Sequence, residues 1–347
     1  MTPSNDALVQ RKDEHIDHVL AGKGRGTADA GFDVVRFQHN ALPELHYDDI
    51  DLSVRFLGKE LAAPFLISSM TGGPTRAASI NARLAKAAEK LRIAFAVGSQ
   101  RVAIDSRAAL GLGRDLRLRA PTALILANLG AVQFSKGYGL DDARRAVEMI
   151  GADGLILHLN PLQEAIQAEG DRDWRGVEAA IAKIAKAFPG RLIVKETGAG
   201  LSGDVVRRLR DCGVSAIDVA GCGGTNWGLI EGARAAGGHA EAVVKPFAGW
   251  GVPTARAVFD ASIAAPNLPL IASGGIRDGL DAARAIRLGA QLVGQAAGVL
   301  DAALESTASV EAHFAVLRDQ LRLACFCTGS ADLHALARAP LLDAVRF

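Results

Sequence analysis

Cysteine is scarce, four in 347 residues, and Cys325 and Cys327 stand too close for an ordinary bridge while no CxxC pair occurs. That excludes a disulfide-stapled scaffold and points to reduced thiols in a cytoplasmic protein. Aromatic residues make up only 5%, too few for an aromatic-lined sandwich. A charge bias is missing as well. Lys and Arg number 39 against 38 Asp and Glu, a net +1, so the totals carry no electrostatic footprint for nucleic acid. No apolar run reaches the roughly 20 residues of a membrane span. The least polar stretch, residues 289–304, is broken by Gln291, Gln295 and Asp301. The first twenty residues hold no apolar segment ahead of a cleavage site, and Arg11, Lys12, Asp13 and Glu14 interrupt them early. Neither a signal peptide nor a membrane partner is expected.

What is present is a chain long enough for a sizeable core, 49% hydrophobic, with 38 glycines to serve tight turns. Short β-branched or Leu-rich runs at 64–68, 93–97, 123–127, 154–159, 192–195, 216–219, 268–273 and 291–294 alternate with segments of helical period. The helical segments include 77–91, 141–150, 174–187, 203–212, 254–265 and 278–288. Eight such units predict an α/β protein, a (β/α)8 TIM barrel with its site at the carboxyl ends of the strands, over residues 62–325. A doubly wound dinucleotide fold would instead want GxGxxG after an early strand, and the first strand runs into Ser69-Met70-Thr71-Gly72-Gly73. Residues 1–61 form an N-terminal extension in which 7 basic residues face 11 acidic ones, unlike a nucleic-acid arm. Residues 326–347 are expected to be a tail packed on the barrel, with a turn at Thr328-Gly329-Ser330.

Polar groups and glycines fall just after nearly every predicted strand. Ser273-Gly274-Gly275 after the seventh and Gly294, Ala296 and Ala297 after the eighth suit bare backbone N–H groups meeting a phosphate, though Gly-Gly also serves an ordinary βα turn. Lys195 closes the fifth strand, either as a cation for a developing anion or as a lysine paired with Glu196. Asn128 at the third strand end bonds a ligand or its own turn. His158 and Asn160, two apart on a strand, face the same way, as a site or as a hydrogen-bonded core pair. Gln163 and Glu164 place an amide beside a carboxylate, which is how Mg²⁺ is often met when phosphates and water complete its shell. Arg11, Lys12 and His15 fit one helical turn, able to converge on a dianion or to form a solvated charge network with Glu14. Ser99, Gln100 and Arg101 add a further cation. Two phosphorylated ligands, one cofactor and one substrate, follow from two such poles.

In order along the chain, these strings resemble the type 2 isopentenyl-diphosphate Δ-isomerase family, flavin-dependent relatives of the FMN-binding barrels. The match runs from Arg11-Lys12-Asp13-Glu14-His15-Ile16 through Met70 to Gly73, Gly98 to Arg101, Asn128-Leu129-Gly130, His158 to Glu164, Val194 to Gly198, Gly223-Gly224-Thr225 and Ser273 to Arg277. The resemblance implies that FMN lies across the barrel mouth. Ser69, Met70, Thr71, Ser99, Asn128, Lys195 and Thr225 would meet its ring and ribityl chain, and Gly274, Gly275, Ala296 and Ala297 its phosphate. It implies that Arg11, Lys12, His15, Ser99, Gln100, Arg101, His158, Asn160 and Gln163 bind isopentenyl diphosphate, with Glu164 on Mg²⁺. Gln163, His158 and Lys195 would act beside reduced FMN as the acid and base, NADPH would prime the flavin, and the chain would form a homo-oligomer. Cys222 and Asn226 depart from the small residues of the family. Three rivals remain: a 2-hydroxy-acid oxidase, which needs a His base and an Arg clamp after the sixth strand; a nucleotide dehydrogenase using Cys222; and a non-catalytic flavin- or phosphate-binding barrel.

Overall fold

The computed structural model describes residues 5–70, 76–106, 109, 111–235 and 238–347. The eight runs pair in parallel and close on themselves: β1 Phe65–Ile67, β2 Ala94–Ala96, β3 Ile125–Gly130, β4 Gly154–Leu159, β5 Leu192–Glu196, β6 Ala216–Asp218, β7 Leu270–Ser273 and β8 Leu292–Gln295. Most elements agree with expectation within a residue or two. β3 is displaced toward its carboxyl end because Asn128, Leu129 and Gly130 keep pairing with Ile156, Leu157 and His158. The helix expected from 174 begins at Val177, where Gly176 adopts the left-handed φ of 79° that precedes it.

Alternation along each strand divides the core in two. Phe65, Ile67, Phe95, Ile125, Leu155 and Leu157 face the surrounding helices. Leu66, Ala94, Ala96, Leu126, Ile156, Ile193, Ala216, Ile271 and Leu292 fill the barrel interior. A short antiparallel hairpin, Val54–Phe56 with Lys59–Leu61, adds Phe56 and Leu61 to that interior. It closes the amino-terminal end, since Lys59 Nζ donates to the carbonyls of Thr122 and Ala123, both at 3.1 Å, just before β3. One step further toward the carboxyl ends, the same alternation brings Ser68, Gly98, Asn128, His158, Lys195, Asp218, Ser273 and Gly294 to the barrel axis. An apolar plug is thus capped by a polar layer.

The N-terminal extension is continuous with this core. Ile16, Ala30, Phe32, Val35, Ile50 and Leu52 are buried in the layer outside the barrel, and backbone bonds such as Ala255 N to Ala30 O at 2.9 Å stitch the segment over the strand ends. At the other end of the chain, the boundary expected at 325 falls inside a 22-residue helix, Thr307–Thr328. Its buried stripe Val310, Phe314, Leu317, Leu321 and Cys325 has helical spacing to the end, so the helix continues until Gly329 turns it off at φ 69°. The tail therefore starts at Gly329, followed by the short helix Leu333–Leu336. Among the described residues no helix is long and apolar enough to cross a membrane.

Phe56 is 2% exposed, and Phe56→Ala leaves a cavity at the closed end of the barrel. Urea unfolding should show a loss of about 3–5 kcal/mol; a loss below about 1 kcal/mol would mean the hairpin does not plug the barrel.

Candidate active site

A cavity of about 930 Å³ opens above the polar layer, at the carboxyl ends of the strands. Of the residues singled out from sequence, Lys12, His15, Ser69, Met70, Ser99, Arg101, Asn128, His158, Asn160, Gln163, Glu164, Lys195, Thr225, Gly274, Gly275, Ala296 and Ala297 line it. Thr71 lies outside the described residues, as does the side chain of Arg11. Gln100 is a correction. It is fully buried away from the cavity, its Nε2 donating to Ala146 O at 2.9 Å and its Oε1 accepting from Asn128 N at 2.9 Å. With both ends of its amide engaged, it braces β3 rather than meeting substrate. Among the charged residues of the lining, Lys12, Arg25, Arg101, Lys195 and Arg277 face Glu164 and Asp301, an imbalance that favours anionic ligands.

The floor is a chain of hydrogen bonds across neighbouring strands. Asn128 Nδ2 donates to Ser69 Oγ at 2.7 Å, so its Oδ1 accepts from His158 Nδ1 at 2.8 Å. This network assigns the proton of a neutral His158 to Nδ1 and leaves Nε2 as the acceptor. Burial first, then the charges of Lys12, Lys195 and Arg101, pull the pKa of His158 down to about 3. Next along the floor, Lys195 Nζ donates to the backbone carbonyl of Glu196 at 2.8 Å and sits 3.6 Å from Asp218 Oδ2. The Glu196 side chain turns the other way and accepts from the N–H groups of Thr197, Gly198, Ala199 and Gly200 at 2.5–3.1 Å. Burial pushes the pKa of Glu196 up against the pull of those donors.

One wall is built on the six-residue helix Pro161–Ile166, started by proline at its first position. Asn160 Nδ2 donates to Gln163 Oε1 at 3.1 Å and Glu164 Oε1 at 3.0 Å, leaving Asn160 Oδ1 buried with no partner. Glu164 Oε2 accepts from Asp171 N at 2.7 Å. Gln163 Nε2 reaches Glu231 Oε1 at 3.0 Å, the atom that His15 Nε2 also meets at 2.9 Å. Arg234 binds the second oxygen of Glu231 at 2.6 Å and Glu14 at 3.0 Å. Burial works to raise the pKa of Glu231, but His15, Gln163 and Arg234 outweigh it and hold the carboxylate ionised. Burial holds His15 below its ordinary value, so a neutral imidazole donates to Glu231.

Glu231 and Asp218 are the residues that sequence reasoning missed. Glu231 stands one helical turn after Trp227, whose ring contacts His15 at 5.1 Å, and that i,i+4 spacing was the available signal. Asp218 stands two residues after Ala216 and directly opposite Lys195 in the strand register.

At the far pole, Gly274 and Gly275 have φ values of 100° and 69°. A Cβ on Gly274 would lie 2.1 Å from Gly221 O, and one on Gly275 would lie 2.6 Å from the backbone of Gly223. Their side-chain directions are filled by the protein, so it is bare backbone that they present to the cavity.

A folded-state pKa near 3 for His158 means that the unfolded chain takes up this proton first as pH falls through about 6.5. The stability this residue contributes is complete above that pH and is lost as pH drops toward 3. The urea midpoint should therefore fall less between about pH 7 and about pH 5 in His158→Gln than in the wild type. Equal slopes would contradict a neutral His158.

The family model described as FMN-dependent dehydrogenase matches residues 160–343. An isopentenyl-diphosphate delta-isomerase of Xanthobacter autotrophicus is 63% identical over 334 residues, covering 96% of this chain and 97% of its own. Those of Stutzerimonas stutzeri and Synechocystis sp. are 58% and 46% identical, each alignment covering at least 97% of both chains. Among solved structures, a mandelate oxidase variant with an FMN adduct superposes with TM-score 0.67 at 16% identity, covering 97% of this chain and 98% of its own. A flavocytochrome b2 variant with pyruvate bound gives TM-score 0.67 at 17% identity, covering 96% and 86%. Likenesses that distant concern the barrel alone. The near full-length relatives are more specific, and by them this chain belongs to the isopentenyl-diphosphate delta-isomerase family, on the barrel of the FMN-dependent dehydrogenases.

Proposed function

We propose that this chain interconverts isopentenyl and dimethylallyl diphosphate, moving a double bond across three carbons without net redox, with FMN as cofactor. The observation that carries the reading is a single cavity joining an excess of cations to an apolar wall. Ile16, Val19, Leu20, Met70 and Trp227 line it beside Lys12 and Arg101, which suits a short hydrocarbon chain ending in a diphosphate. The oxidase alternative is disfavoured because the β6 end, Ala220-Gly221-Cys222-Gly223-Gly224-Thr225, holds neither a His base nor an Arg clamp. A dehydrogenase using Cys222 as nucleophile is disfavoured too, since burial pushes that thiol up, away from the reactive thiolate.

The residues present fit FMN. Backbone at Gly274 and Gly275 faces the cavity, and the polar floor beneath includes a buried oxygen without a partner, Ser68 Oγ. Gly274, Gly275, Ala296 and Ala297 would hold the phosphate, and Ser69, Met70, Ser99, Asn128, Lys195 and Thr225 the ring and ribityl chain. When bound and reduced, FMN supplies an electron-rich ring that can exchange a proton with an alkene and stabilise developing positive charge.

The side chains around it divide the remaining tasks. Lys12 and Arg101 take the diphosphate as charge-assisted donors, and Glu164 adds the one carboxylate that a diphosphate-bound Mg²⁺ needs. Asn160 Oδ1, buried and unpartnered, points to the same group of ligands. Gln163 is fixed at both ends of its amide, which makes it a positioning group in this arrangement. His158 stays uncharged at neutral pH, so it offers the Nε2 lone pair and adds no positive charge where a carbocation would develop. Lys195 is the cation that balances negative charge on the cofactor. Ile16, Val19 and Leu20, on the N-terminal helix Asn5–Leu20, exclude water from the reacting carbons.

NADPH as the priming reductant, the cytoplasm as compartment and a homo-oligomer as the assembled form belong to the same proposal. All four cysteines are free, in keeping with a reducing compartment.

Anaerobic assay of the flavin-loaded protein tests the reaction class. One reduction should support many turnovers; one NADPH consumed per product would make the protein a reductase or dehydrogenase instead. Glu164→Gln should weaken Mg²⁺ activation and substrate use while leaving flavin content unchanged. Mg²⁺ activation equal to wild type would reassign Glu164 to bracing the Asp171 turn.

A further inference from the structure

Asp218 is fully buried beneath the cavity floor. Its Oδ1 accepts from Ser273 Oγ at 2.7 Å and from Ala220 N at 3.2 Å. Its Oδ2 has no hydrogen-bond partner and lies 3.6 Å from Lys195 Nζ. Lys195 and Asp218 are paired across β5 and β6, and both follow interior residues, Ile193 and Ala216, by two positions. Their side chains therefore share one layer, with Lys195 lining the cavity and Asp218 behind it.

A buried carboxylate with a vacant oxygen is costly unless a nearby cation compensates it. Lys195 is the cation in reach, yet its shorter bond goes to the Glu196 carbonyl at 2.8 Å. The ammonium is thus held between a carbonyl and a carboxylate, and the charge it shows to the cavity is the sum of the pair. The geometry points to Asp218 as the positioning residue that fixes the Lys195 ammonium at the floor and offsets part of its charge toward the cofactor ring. This rests on the cavity being the flavin site. Asp218 touches no ligand itself and acts through Lys195, while Ser273 regulates how negative Asp218 is by donating to it.

The two partners of the carboxylate give changes of opposite sign. Asp218→Asn removes a negative charge, so Lys195 stabilises the two-electron-reduced, more negative flavin further. The ratio of affinities for reduced over oxidised FMN should rise about tenfold, moving the midpoint potential positive by about 30 mV. Ser273→Ala keeps the charge and removes its donor, so the potential should move negative. Potentiometric titration of the holoproteins, with flavin content read from absorbance, measures both. Where Asp218→Asn fails to fold or to hold flavin, the sign of the Ser273→Ala shift decides. Potentials equal to wild type in flavin-loaded variants, or shifts of the same sign in both, would overturn the proposal. A wild-type protein that binds no FMN would instead overturn the cofactor reading beneath it.

Discussion

The site depends on one constraint, the two-residue alternation of strands in a closed parallel barrel. Once Ile156, Ile193, Ala216 and Ile271 are committed to the interior, the residues two places on have no other direction to face. His158, Lys195, Asp218 and Ser273 are placed by the same register that packs the core. A one-residue slip in any strand would turn its apolar side chains outward and its functional one into the helix layer. Packing and chemistry are therefore not separable here: the hairpin plugs one end of the interior, and the cavity lies at the other.

A second dependence runs through Glu231. This carboxylate joins His15, from the N-terminal helix, to Gln163, from the wall after β4. Arg234 and Glu14 close the same network. The extension is thus tied by a buried bond from His15 and part-buried bonds around it to the residues it helps to cover. In a cavity rich in cations, both histidines are held neutral by burial, so its positive charge resides on the Lys and Arg side chains.

The strands were legible because each is buried on both faces and reads as a continuous apolar run. Asn128 to Gly130 were not legible as strand, since a polar residue and a glycine mark a turn unless cross-strand pairing overrides them. Fifteen of the residues expected at strand ends lie on the cavity, as do Lys12 and His15, which were read from a helical turn. Strand-end position misplaced Gln100, whose orientation was decided by a carbonyl 46 residues away. Glu231 and Asp218 escaped for the related reason that their meaning lies in distant partners. Asp218 read as one more residue of a strand until Lys195 was set opposite it, and His15 lies 216 residues from Glu231. Local pattern shows where a side chain starts; register and packing show what it meets.

The central claim is that one cavity of about 930 Å³ receives both the flavin and the diphosphate, with the floor under the ring and Lys12 and Arg101 at the substrate. Titrating the flavin-loaded protein with isopentenyl diphosphate, while following the flavin absorbance and the heat of binding together, tests it most directly. The account predicts one saturating spectral change per chain, with the same midpoint as the heat and weakened by added salt. Heat of binding with a silent flavin spectrum would place the substrate elsewhere and contradict it.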